Sequence, residues 1–151
     1  MSREGLEAGR PQVRAEGYSI ESPPSPVYNC FAWAAGSSLA WWEPADPIIV
    51  PHVGPTFWPA GAPSDLTLDS FVQAFATLGY VECASADLEP GVEKVALYID
   101  VDGCPSHAAR QLESGTWTSK VGELEDIEHP TLRALEGPVY GRVARVLKRS
   151  R

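Results

Sequence analysis

A chain of 151 residues, 44% of them hydrophobic, has the size and apolar content of one domain able to bury a core without disulfide staples. Its formal charge of −8 excludes a general electrostatic attraction to nucleic acid or anionic membrane, although residues 142–151 are locally basic. Cys30, Cys83 and Cys104 lack C-x-x-C spacing, which argues against a disulfide framework or a zinc ribbon and for free thiols in a reducing compartment. The charged N-terminus has no signal-peptide core, and no stretch reaches the ~18 apolar residues of a membrane span, so a soluble cytoplasmic protein is expected.

Residues 1–26 read as an extended or disordered lead-in, polar and unpatterned to about residue 17 and then held non-helical by Pro23, Pro24 and Pro26. A single domain is expected over residues 27–148. Asn29 is the natural N-cap of a short helix that starts at Cys30, with Phe31, Ala34, Ala35 and Ser38 following at three- and four-residue spacing. Gly36 falls inside that pattern, where it costs about 1 kcal/mol relative to Ala, and with Ala32 and Ala35 it leaves room for a second backbone. Residues 43–65 hold six prolines and read as a long irregular loop with one extended piece at Ile48, Ile49 and Val50. Thr67 caps a second helix carrying Phe71, Phe75 and Leu78, which stops at Gly79.

Beyond residue 79 the hydrophobic period changes from 3.6 to two. Strands are expected over 80–83, 94–100, 107–112, 116–121 and 139–147, with a short helix over 131–135. The order makes an α+β domain, short buried N-terminal helices packed on a C-terminal antiparallel meander. A three-residue turn at Glu113, Ser114 and Gly115, with Gly115 left-handed, pairs Leu112 with Thr116, Ala109 with Ser119 and His107 with Val121. His107 and Ser119 then share a face with Ala109, Gln111 and Trp117. Arg110 and Lys120 fall on the opposite face, expected to be wet.

A thiol at the first turn of a helix and an imidazole at the start of a strand are the two halves of a nucleophile and base pair. The backbone N–H groups of the helix end are expected to lower the Cys30 pKa and, with the Asn29 amide, to donate to an oxyanion. The small Ala109 leaves space beside His107 for the Cys30 helix. The competing readings are that Cys30 is a small buried hydrophobe and that His107 satisfies a turn.

Cys30-Phe31-Ala32-Trp33-Ala34 resembles the nucleophile helix of papain-like cysteine peptidases, His107-Ala108 their base strand, and Ser119-Lys120-Val121-Gly122 their Asn-Ser-Trp-Gly. The chain also resembles an uncharacterised bacterial family with Tyr-Asn-Cys-x-Ala-Trp-Ala, His-Ala-Ala-Arg-Gln and Ser-Lys-x-Gly blocks followed by Ile-x-His, here Ile127-Glu128-His129. The first likeness implies a papain-like fold and a thiol hydrolase of the amidase or peptidase type. Its nucleophile would be Cys30, its base His107, its oxyanion donor Asn29, and its orienting residue Ser119 or, alternatively, His129. A peptide, amide or ester substrate follows, with no cofactor and no metal. The other reading is a binding or scaffold domain of the same fold with weak or lost catalysis, such as an effector-associated or immunity protein, whose partner is a protein. Ser119 in place of asparagine favours it.

Four further signals have simpler explanations. Cys30, His107 and His129 lack local metal-ligand spacing. Trp41, Trp42, Phe57 and Trp58 suit either an acyl or peptide groove or a core. Asp100, Asp102 and Gly103 resemble part of a calcium loop but suffice for a turn. Glu123, Glu125, Asp126 and Glu128 read as a solvated loop, with His129 a loop histidine.

Overall fold

The period-two segments pair into one antiparallel sheet of seven strands in a computed structural model that describes residues 3–45 and 52–151. Strands β5 (Val92–Ile99), β6 (Pro105–Gln111), β7 (Trp117–Lys120) and β8 (Asp126–His129) form a consecutive meander. The chain then crosses back through a 3-10 turn, Leu132–Leu135, and its last strand, β9 (Arg142–Ser150), pairs with β5. Strand β4 (Val81–Cys83) closes the edge beside β9, and β1 (Ser19–Ser22) closes the other beside β8. Domain class and antiparallel order are thus α+β with few, short helices. No described helix is long and apolar enough to cross a membrane.

Two expectations are corrected. Residues 1–26 are not simply extended: α1 (Arg3–Glu7), α2 (Pro11–Glu16, with Pro11 at its first turn) and β1 are built there. Leu6 and Val13 are both buried in the core beneath them. Each short helix has a single apolar anchor, so no periodicity could register in the sequence. The acidic run is not a solvated loop either, because β8 lies between β7 and β1 and buries Asp126 and His129. The extended piece expected at 48–50 lies outside the described residues.

Helix α3 (Cys30–Ala34) is capped as its sequence demands, the Asn29 side chain accepting from Ala32 N–H at 3.0 Å. It is shorter than expected. Gly36 stands past its end at φ 87°, where the N–H groups of Gly36 and Ser37 donate to the carbonyls of Trp33 and Ala32 in a left-handed stop rather than inside the helix. Helix α4 (Leu68–Ala76) is capped by Thr67 Oγ1, which accepts from Ser70 N–H, and buries Phe71, Ala74 and Phe75. Between the helices, β2 (Trp41–Trp42) and β3 (Thr56–Phe57) form a small parallel pair.

Residues paired across antiparallel strands share a face, which sorts the sheet into two layers. Leu97, Ala108, Arg110, Thr118, Lys120 and Asp126 lie on one, and α3 and α4 cover it with Phe31, Phe71 and Phe75. Ala96, Tyr98, His107, Ala109, Ser119 and Ile127 lie on the other, covered by Leu6, Val13, Leu135 and Tyr140. The basic C-terminal strand sits among carboxylates, Arg149 and Arg151 on Glu93, Arg145 on Glu82 and Lys148 on Glu89.

Candidate functional site

The hairpin register is the expected one. Arg110 pairs with Thr118 and Gln111 with Trp117, Leu112 N–H donates to Thr116 O at 2.8 Å, and Gly115 takes φ 93°. That register sets His107 diagonally across from Ser119, whose Oγ lies 3.0 Å from His107 Nε2. The next strand contributes what the sequence did not foresee: Ser119 Oγ is also 2.8 Å from His129 Nε2, and His129 Nδ1 is 2.8 Å from Thr131 O. The two candidates for an orienting residue therefore stand in one hydrogen-bonded chain.

The hydrogen positions in this chain follow from its anchored end. A carbonyl only accepts, so His129 Nδ1 carries a proton and a neutral His129 has a bare Nε2. Ser119 O–H donates to that nitrogen and Ser119 Oγ accepts from His107 Nε2–H. His107 is left with a bare Nδ1, a buried atom with no hydrogen-bond partner among the described residues. Both rings are held neutral. Burial drives the His107 pKa well below its ordinary value, with His129 and Arg10 adding to the shift, and burial lowers His129 to about 4. His107 is also clamped by rings, stacked on Tyr140 at 4.2 Å and meeting the edge of Tyr98 at 5.1 Å.

The cysteine approaches from the other side of the sheet. Helix α3 packs on the face expected to be wet, where Trp33 Nε1 donates to Thr118 Oγ1 at 2.9 Å and Tyr28 Oη to Asp126 Oδ2 at 2.7 Å. Lys120, likewise expected in solvent, is fully buried, its Nζ donating to Ser25 O and Gly122 O and lying over the Tyr28 ring. The Ala109 side therefore does not receive the Cys30 helix. Cys30 instead sits in the same core cluster as Ala108, the residue after His107, and shares a cavity lining with Pro105 and Ser106 at the start of β6. Sulfur and imidazole are not hydrogen-bonded.

Burial also reverses the expected acidity of the thiol. Desolvation pushes the Cys30 pKa up to about 12, outweighing the backbone N–H groups of Ala108 and Phe31 and the charge of Lys120. Asn29 is similarly more engaged than expected: Oδ1 accepts from Ala32 and Trp42 N–H and Nδ2 donates to Trp42 O at 2.8 Å, so it straps α3 to β2 with one amide proton left over.

A cavity of about 430 Å³ opens beside the sulfur, lined among others by Asn29, Cys30, Trp42, Phe71, Ser106 and Tyr140. Tyr140 links the two halves of the site, facing Cys30's cavity and stacking on His107. No sequence signal marked it, because it lies in a turn between two glycines, Gly137 and Gly141, bridged to one another. No group of three His, Cys, Asp or Glu side chains able to hold a metal occurs among the described residues. Asp100 Oδ1 accepts from the N–H groups of Asp102 and Cys104, the turn that its sequence suggested.

Residues 19–148 match a family model described as Domain of unknown function (DUF7689). No curated protein and no solved structure matches the chain. The match covers most of the sequence, so the chain belongs to this family.

Proposed function

Starting from membership of this family, we propose that the chain is a papain-like thiol hydrolase that cleaves an amide or ester through Cys30 and His107. The observation that carries the reading is the bare Nδ1 of His107: a chain of hydrogen bonds anchored on a peptide carbonyl holds a buried imidazole in the one tautomer that can accept a thiol proton on its free side. Both groups are neutral at rest, so the mechanism is general-base activation rather than attack by a standing thiolate.

Substrate entering the cavity brings sulfur and Nδ1 to hydrogen-bond distance, a tightening common to catalytic contacts that are loose in the free enzyme. The Cys30 proton passes to Nδ1 as sulfur attacks the carbonyl carbon. The tetrahedral adduct collapses to a thioester as the same proton moves to the departing amine or alcohol. Water then attacks the thioester, giving one proton to Nδ1, which returns it to sulfur as the acid leaves. Throughout, Nε2–H stays on Ser119, and His129 keeps the serine hydroxyl turned away, so the imidazolium always finds an acceptor.

Incubation with a p-nitrophenyl ester should leave one acyl group on Cys30, located by peptide mass spectrometry. His107→Gln should slow its formation by about 10²-fold or more, the range for loss of a general base. Acylation confined to Cys83 or Cys104, or undiminished in the variant, would refute the reading. One observation favours a second reading, a ligand-binding or scaffold domain of the same fold: a thiol with its pKa raised to about 12 is a poor nucleophile unless its base comes to it.

A further inference from the structure

The walls of the Cys30 cavity are predominantly aromatic and aliphatic, with Phe31, Trp41, Trp42 and Phe71 among them, and its volume falls in the ~300–1,000 Å³ range of ligand pockets. These rings are braced from behind. Phe31 meets Phe71 edge-on at 4.7 Å, Trp42 packs on Phe75 at 5.8 Å, and Asn29 ties the Trp42 backbone to the start of α3. A cavity supported in this way is preformed and does not need a ligand to create it.

Its charges have one sign. Among the described residues Glu43 is the carboxylate on the lining, and neither lysine nor arginine lines it. Glu43 is fixed at the rim, Oε2 accepting from His52 N–H at 3.1 Å and its own N–H donating to Phe57 O at 3.0 Å. Two cations stand behind the wall: Lys120 is committed to the carbonyls of Ser25 and Gly122 and sits in the field of Glu123, Glu125 and Asp126, and Arg10 lies beyond the Tyr140 ring with Nη1 on the carbonyls of Leu6 and Ala8. An anionic group in the cavity would lose its water against aromatic rings and face Glu43 with no lysine or arginine on the described lining to offset it.

We propose that this cavity selects an uncharged apolar group and rejects one ending in a carboxylate, the aromatic walls supplying affinity and Glu43 the discrimination. Its identity as the acyl pocket of a thioester-forming enzyme rests on the hydrolase reading; the binding preference does not.

Calorimetric titration with octanamide and with octanoate tests the preference without asking for catalysis. Octanamide should bind saturably and octanoate at least ten-fold more weakly, with Glu43→Gln closing most of the gap by improving octanoate alone. Equal affinities, no binding of octanamide, or a gap that survives in Glu43→Gln would overturn the proposal. The p-nitrophenyl ester of octanoic acid separates this from the hydrolase reading. If octanamide is preferred yet the ester never acylates Cys30, the pocket stands and the enzyme falls. If Cys30 is acylated equally fast by octanoyl and carboxylate-ended succinyl esters, the enzyme stands and the selectivity falls.

Discussion

The two faces of the sheet are built on opposite principles. On the α3 and α4 face, the two helices press Phe31, Phe71 and Phe75, with Trp42 of β2 beside them, onto Val95, Leu97 and Ala108. On the other, α1 and α2 supply single anchors, Leu6 and Val13, and the centre of the layer is polar, with His107, Ser119 and His129 wholly or almost wholly buried. An apolar layer tolerates loss of shape at the cost of cavities, whereas a buried polar chain is stable only while every member keeps its partner. The lone exception in that chain is His107 Nδ1, so the contrast itself singles out the atom on which chemistry would depend.

Five measurements can break or sharpen this contrast. The largest effect belongs to the apolar face: Phe75→Ala should cost about 3–5 kcal/mol in urea unfolding. Leu6→Ala should cost about 2–5 kcal/mol; a cost near zero would mean that the N-terminal helices only drape over the sheet.

Ser119→Ala comes next. It strands two imidazole nitrogens at once, so its cost should be about 2–3 kcal/mol rather than that of one ordinary hydrogen bond. If it costs under about 0.5 kcal/mol, the relay is not an energetic unit.

The polar face should also be acid-sensitive. Both histidines have depressed folded-state pKa values, so above about pH 6.5 they are neutral whether folded or not and their contribution is complete. As pH falls from about 6.5 toward 4 the unfolded chain takes up protons that the folded one refuses. Stability should fall by up to about 1.4 kcal/mol per pH unit for each histidine. His129→Gln should flatten that slope in urea unfolding repeated across pH, and a variant as steep as the parent would place the sensitivity elsewhere.

The smallest effects lie outside both layers. Iodoacetamide at pH 8 should label Cys83 and Cys104 before Cys30, whose thiol is buried and weakly acidic, with peptide mass spectrometry reading the order. Labelling of Cys30 first would remove the argument for a neutral resting thiol.

Local chemistry was enough to read several parts of this molecule. Asn29 and Thr67 announce helix starts because each offers an oxygen to an unpaired N–H, and Gly115 sets the hairpin register because its left-handed turn admits one pairing. That register placed Ser119 beside His107 from sequence alone. What the tertiary structure decided is which groups lose water and from which side each is approached. The acidic stretch became β8 because β7 and β1 offered it partners on both edges, and this made His129 the end of a relay rather than a loop residue. Helix α3 took the Lys120 face because Trp33 and Tyr28 could satisfy Thr118 and Asp126 there. Burial then raised the thiol's pKa although its place at a helix start suggested the reverse. A sequence carries bonding capacity residue by residue, but desolvation belongs to the assembled layers, and at Cys30 and His107 desolvation is the larger force.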